Sequence, residues 1–136
     1  RIPKKNILIS SGPTRSKVEL LNSTRMLIEK GYNIYSTAGT AKFFKENGID
    51  TQILYWPDED KEPNIMEYLH DRKIDLVINI PKNHTKRELD NGYKIRRAAV
   101  DYNIPLITNA RLASAFIYAI CKVDPTEIAI KSWDEY

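Results

Sequence analysis

The run Ser36-Thr37-Ala38-Gly39-Thr40 sets three hydroxyls around a glycine. Hydroxyls of this size donate to anionic oxygens, and the glycine lets backbone come close. The residues that follow, Ala41 to Asn47, read as a helix, whose first N–H groups have no partner within it. Such a turn suits an anion. The same residues equally serve local structure, Thr37 as a strand end and Thr40 as a helix cap. Asn79 sits within the otherwise apolar run Leu76 to Ile80. A buried amide without partners costs about 1–3 kcal/mol, so Asn79 either points into a crevice or braces the loop after it. Trp56-Pro57 offers an aromatic wall for a ligand or packs an edge. Arg96-Arg97 either meets phosphate or carboxylate, or pairs with acids such as Asp101.

Other chemistries lack their residues. His70 and His84 are far apart and neither has a partner at metal-ligand spacing. Cys121 is the only cysteine, which excludes disulfides and structural zinc, fits a reducing cytosol, and reads as core within a helix. There is no Gly-x-Gly-x-x-Gly after the first strand, no phosphate-loop Gly-x-x-x-x-Gly-Lys motif and no Gly-x-Ser-x-Gly elbow. Nothing in the chain reads as catalytic, and no cofactor is expected in it.

The elements that must position these residues alternate. Lys5 to Ser11 is a strand, since Ile7, Leu8 and Ile9 form the continuous apolar run of a strand covered on both faces. Gly12-Pro13 breaks it, and Ser16 with Glu19 predicts a capping box. Leu20, Leu21, Thr24, Leu27 and Ile28 then line a helix closed by Gly31. Asn33 to Ser36 is a second strand, the helix Ala41 to Asn47 is closed by Gly48, and Thr51 to Trp56 is a third strand. Pro57 to Pro63 is an acidic loop, after which Asn64 caps a short helix carrying Ile65, Met66 and Leu69 inward. Leu76 to Ile80 is the fourth strand. Pro81 to Asn91 reads as a polar loop, and loops of this length are often functional. A helix from Tyr93 to Tyr102, a strand Pro105 to Thr108 and a helix Ala110 to Lys122, with Leu112, Phe116 and Ile120 at every fourth residue, complete the pattern. The tail from Val123 is unassigned.

Five βα units predict an α/β fold of three layers, helices on both faces of a parallel sheet. In such sheets ligands bind beyond the carboxyl ends of the strands, where strand order reverses. The rule selects Ser10-Ser11, Thr37 to Thr40, Trp56, Asn79 to Lys82 and Thr108-Asn109.

At 136 residues the chain is sized for one domain. Its 42% hydrophobic and 29% charged content is that of a globular protein able to bury a core. Apolar runs fall far short of the roughly 18–20 residues of a membrane span. Twenty-one basic against 18 acidic residues leave +3, too mild to predict nucleic-acid binding but compatible with a small anionic ligand. The start Arg1-Ile2-Pro3, without methionine, reads as a piece of a longer polypeptide.

Together the Ser36–Thr40 turn, the strand Asp75-Leu76-Val77-Ile78-Asn79-Ile80-Pro81, and Gly92 to Asp101 with Ile104 to Asn109 resemble the methylglyoxal synthase-like domain. Within that family the likeness is greatest to the C-terminal allosteric domain of carbamoyl phosphate synthetase, over Lys5 to about Lys122. The resemblance implies a flavodoxin-like five-stranded sheet of order 3-2-1-4-5, with Ser10 and Asn79 facing each other at the switch. It implies effector binding by Thr37, Thr40 and Asn79, which the strand-end candidates Ser10, Ser11 and Gly39 would adjoin. Trp56 and Asn91 match residues of the N-acetylglutamate-regulated type, whereas Lys82 stands where that type has another asparagine. Lys17, Lys82 and Lys94 are the candidates for holding phosphate, as lysines do in the animal pyrimidine-pathway enzymes.

The implied partners are a uridine nucleotide, IMP, phosphoribosyl pyrophosphate or N-acetylglutamate. Further implied partners are the synthetase domains of the same chain, a glutaminase and a second copy of the chain. ATP and Mg or Mn would belong to the synthetase domains, and the parent would be cytoplasmic or mitochondrial. Two alternatives carry other functions. Methylglyoxal synthase itself needs an aspartate base on a Gly-Gly-Asp loop after strand four; here Pro81 to Lys86 has none before Asp90. A module that only holds subunits together would need no ligand.

Overall fold

Ile7, Leu8 and Ile9 are each fully buried because their strand is central and covered on both faces. The computed structural model describes residues 5–81 and 85–122. In chain order these form β1 (Asn6–Ser11), α1 (Thr14–Glu29), β2 (Asn33–Ser36), α2 (Ala38–Glu46), β3 (Gln52–Ile53), α3 (Ile65–His70), β4 (Leu76–Ile80), α4 (Lys86–Asp101), β5 (Leu106–Ile107) and α5 (Ala110–Lys122). All strand pairs are parallel, in the expected order β3-β2-β1-β4-β5.

The two-residue period of a strand sorts the core into two halves. Ile7, Ile9, Leu76 and Ile78 pack with Leu20 and Leu27 of α1, Phe44 of α2 and Ile117 of α5. Leu8 and Val77 face the other way, against Leu69 of α3 and Ile95, Ala98 and Ala99 of α4. By the same alternation Ser10 and Asn79 continue the α3/α4 side. They are paired across the ladder in a register that sets Ser10 beside Asn79.

Local chemistry fixes most boundaries as expected. Gly31 and Gly48 take positive φ, +92° and +80°, which lets Tyr32 N–H reach Leu27 O and Ile49 N–H reach Phe44 O and so satisfies the last carbonyls of α1 and α2. Asn64 accepts from Met66 N–H at 2.9 Å and caps α3. Cys121 is buried.

Five expectations are corrected. Helix α1 starts at Thr14 behind Pro13, with no side-chain cap, so Ser16 and Glu19 lie inside the helix and form no capping box; Ile28 is 40% exposed. Helix α2 starts at Ala38 with Thr37 at the N-cap, placing Thr40 in its first turn. Strand β3 keeps only Gln52 and Ile53 because Tyr55 leaves β2 to exchange hydrogen bonds with Pro63 and Ile65. The expected loop 81–91 is largely helix: α4 starts at Lys86, capped by Thr85, which accepts from Glu88 N–H at 3.1 Å. In α5 the buried face is Ala113, Ile117, Ile120 and Cys121, and Leu112 is exposed. The reason is that α5 lies close along α1, an approach that favours the small Ala113 over Leu112.

Candidate functional site

A crevice of about 320 Å³ opens where β1, β2 and β4 end. The reversal of strand order between β1 and β4 splays the following segments apart and leaves this space. Ser10, Ser11, Lys17, Thr37, Gly39, Thr40, Trp56 and Asn79 all line it. Eight of the positions expected from sequence thus converge from five separate segments.

The floor is a hydroxyl network. Ser11 N–H donates to Thr40 Oγ1 at 3.0 Å and Thr40 Oγ1 donates to Ser11 O at 3.2 Å. Thr37 Oγ1 lies 3.3 Å from both Ser10 Oγ and Thr40 Oγ1. Thr37 and Thr40 are 4% and 2% exposed, so these bonds form in a low-dielectric setting where each is worth more than in water. Thr40 therefore ties the start of α2 to the end of β1. Gly39 is exposed, and a side chain there would meet no atom within 4 Å; it leaves free space over the N-terminus of α2 without any backbone strain.

One wall belongs to β4 and α4. Asn79 Oδ1 accepts from Arg96 Nη1 at 2.7 Å, so the amide points into the crevice and is braced there by a guanidinium. Gly92 makes room for it, since a Cβ at that position would stand 2.9 Å from Arg96 Nη1. The adjacent Arg97 turns to Asp101 instead, at 3.2 Å.

The opposite wall is the segment after β3. Trp56 is half-buried, lines the crevice and also packs against the α3/α4 core. Its N–H donates to Glu59 Oε1, its ring carries the Arg87 guanidinium 5.0 Å from the centroid, and Arg87 in turn grips Asp58 through Nε at 2.6 Å and Nη2 at 3.1 Å. Arg87 first, then Asn91, hold the Asp58 carboxyl down at about 2.

Asn91, Lys94 and Asn109 stand elsewhere. Asn91 is buried in α4, where Oδ1 accepts from Asp58 N–H at 3.2 Å and Nδ2 donates to Arg87 O; it supports the wall without lining the crevice. Lys94 is exposed on α4 outside the lining, close enough to Asp58 to favour its ionised form. Lys82 lies outside the described residues. Asn109 spends its side chain accepting from Leu112 N–H at the start of α5 and does not line the crevice.

Sequence reasoning missed Arg87 and gave Arg96 no clear place. The pattern Thr85-x-x-Glu88 is the available signal, a threonine and a glutamate at capping-box spacing. It starts α4 five residues before Asn91, placing Arg87 in its first turn and Gly92 and Arg96, four residues apart, on one side of it.

Lining charges are mixed, with Lys17, Arg87 and Arg96 against Glu59 and Glu88. Both carboxylates serve their own segments: Glu59 takes Trp56 N–H and Glu88 takes the Thr85 hydroxyl. Asp90, the first aspartate after β4, sits on α4 paired with Lys86 at 2.8 Å. Among the described residues no group of three or more His, Cys, Asp and Glu could hold a metal ion, and no helix is long and apolar enough to cross a membrane.

Comparison with known proteins matches this architecture. A solved methylglyoxal synthase from Elizabethkingia anophelis superposes with a TM-score of 0.60 at 18% identity, covering 84% of this chain and 77% of that one; this is a likeness of fold. The multifunctional protein ura1 of Schizosaccharomyces pombe is 43% identical over 90% of this chain, and the multifunctional protein CAD of Squalus acanthias 40% identical over 93%. The carbamoyl phosphate synthase large chain of Thermoplasma acidophilum is 39% identical over 79%. The chain spans 6% of the length of the two multifunctional relatives and 10% of the Thermoplasma protein. The family model for the MGS-like domain matches residues 19–108, and with that match, and relatives of this identity along most of its length, the chain belongs to the MGS-like domain family.

Proposed function

We propose that the chain is the effector-binding regulatory domain of a carbamoyl phosphate synthetase, taking a small anionic metabolite in the crevice at the carboxyl ends of β1, β2 and β4. The parent would make carbamoyl phosphate from bicarbonate, glutamine-derived ammonia and ATP for pyrimidine or arginine synthesis. Its ATP and metal ions would be bound in synthetase domains outside this chain, with a glutaminase as a further partner. The observation that carries the reading is the convergence of the Thr37/Thr40 hydroxyls, the open N-terminus of α2 and the Arg96–Asn79 pair on one space whose lining holds three cations against two carboxylates. Anion binding there has partners in Lys17, Arg96 and the hydroxyls, while the two lining carboxylates, Glu59 and Glu88, each accept a hydrogen bond within their own segments. The effector would act through whatever difference in affinity it has for two states of the parent.

The test is a set of thermal melts with UMP, UTP, IMP, phosphoribosyl pyrophosphate, N-acetylglutamate and dihydroxyacetone phosphate. A ligand at a hundred times its dissociation constant adds about 2.7 kcal/mol, a rise of several degrees for a domain of this size. One nucleotide, sugar phosphate or acetylated amino acid should raise the midpoint in wild type and fail to do so in Thr37→Val. No rise with any of them overturns the proposal, and a rise with dihydroxyacetone phosphate alone would favour a lyase.

A further inference from the structure

Arg87 presents its guanidinium to the crevice wall, yet the edge that best reads an anion is already taken. Nε and Nη2 form the paired fork that matches a carboxylate or phosphate, and in this structure both point at Asp58, at 2.6 and 3.1 Å. Trp56 lies beneath the same guanidinium, its ring centroid 5.0 Å away. Asp58 is held from a second direction, by its own N–H on Asn91 Oδ1. The segment from Trp56 to Pro63 is thereby tied to α4 at a place where a ligand anion would find its cation.

We propose that the Asp58 carboxylate is an internal stand-in for a ligand anion: it competes with ligand for the Arg87 fork, and filling the crevice frees that carboxylate from α4. This inference rests on the effector site proposed above and assigns it a residue that sets affinity and reports occupancy. The exchange is physically cheap. The Arg87 and Asp58 side chains are 56% and 33% exposed, and solvent-exposed ion pairs contribute little to stability. A phosphate or carboxylate arriving at the crevice replaces one set of charge-assisted hydrogen bonds by another of the same kind, with the released Asp58 hydrated in return. The geometry also explains why a fork is used, because a lysine at position 87 could not hold both carboxylate oxygens at once.

The experiment measures inorganic phosphate binding by calorimetry at about 0.15 M salt, where exposed charges beyond roughly 8 Å are screened. Wild type is compared with Asp58→Asn, Arg87→Gln, the double variant, Thr37→Val and, as a charge control on the same segment, Asp60→Asn. Freeing the fork should tighten phosphate binding in Asp58→Asn by up to about fivefold, the worth of an exposed ion pair that no longer competes. Asp60→Asn should change it less than about twofold, and in the Arg87→Gln background Asp58→Asn should bring no gain. Equal gains from Asp58→Asn and Asp60→Asn would reduce the effect to net charge and overturn the competition. Binding lost in Thr37→Val but indifferent to Asp58→Asn overturns the competition while leaving the effector site standing. No phosphate binding by wild type or Asp58→Asn overturns the competition, and the melts with the six metabolites then decide the effector site separately. Melting curves of each variant without phosphate verify that the fold is kept.

Discussion

Arg96 on α4 and Asn79 on β4 share a hydrogen bond of 2.7 Å that joins the helix layer to the sheet at the mouth of the crevice. Asn79 is 4% exposed, so its carbonyl depends on this donor. Arg96→Met keeps much of the side chain's length and removes the donor. An orphaned buried acceptor costs about 1–3 kcal/mol, and a midpoint lowered by several degrees in thermal or urea unfolding is expected. A melt within about 1 °C of wild type would show that Asn79 finds another partner.

Gly92→Ala tests the same bond from the other side. The added Cβ would lie 2.9 Å from Arg96 Nη1, and the guanidinium, at the end of a flexible chain, must swing away. Losing the Arg96 bond costs about 1–3 kcal/mol, while alanine in place of glycine within a helix returns about 1 kcal/mol. The variant should thus be less destabilised than Arg96→Met, while effector affinity, measured by the same melts with ligand, falls as it does in Arg96→Met.

Thr40 is structural as much as it is a candidate ligand contact. Its hydroxyl both accepts from and donates to the backbone of Ser11. Thr40→Val leaves a buried N–H and a carbonyl without that partner and should cost about 1–3 kcal/mol, whereas Thr40→Ser should restore most of it. Urea unfolding of the three proteins checks the order. For this reason Thr37, whose longer 3.3 Å contacts are to other hydroxyls, is the cleaner position for probing ligand binding.

How much of this the sequence carried depended on whether a residue's role followed from its own neighbourhood. β1 and β4 were legible because strands buried on both faces are apolar throughout, and Gly31 and Gly48 were legible because positive φ favours glycine. The strand order came with the family resemblance, since alternation alone leaves several orders open. Helix α4 was half hidden because Asn91, which points inward, is polar: its burial is supported by Asp58 and Arg87, partners far outside any local pattern. Arg96 and Arg97 are equivalent as letters. Successive helical residues point about 100° apart, and that rotation sends one guanidinium to Asn79 and its neighbour to Asp101.

The Cys121 thiol is pushed above its ordinary value, chiefly by burial, with Lys30 opposing and Glu29 adding to the rise. A thiol that is both buried and protonated is a poor nucleophile. Disulfide-exchange reagents at pH 7.5 should label the native chain at a rate limited by opening of the fold. Added urea should raise that rate in step with unfolding, and rapid labelling without denaturant would contradict the packing of α5.

Asp58 gives the chain a defined acid response. Its carboxyl falls from an ordinary 3.8 to about 2 in the folded state, with the Arg87 hydrogen bonds as the largest cause. A folded value below the unfolded one means that the tether is fully stabilising above about pH 4 and is lost as pH falls toward 2. The pair is exposed, so its share of global stability is small, and the sharper readout is local. Carbon-13 titration of the Asp58 side chain should show a midpoint near 2 in wild type. In Arg87→Gln the midpoint should return toward 3.8, with Asn91 and Lys94 holding it somewhat lower. A wild-type midpoint already near 3.8 would mean that the carboxylate and the guanidinium are not paired in solution. The Arg87 fork would then stand open to ligand from the start.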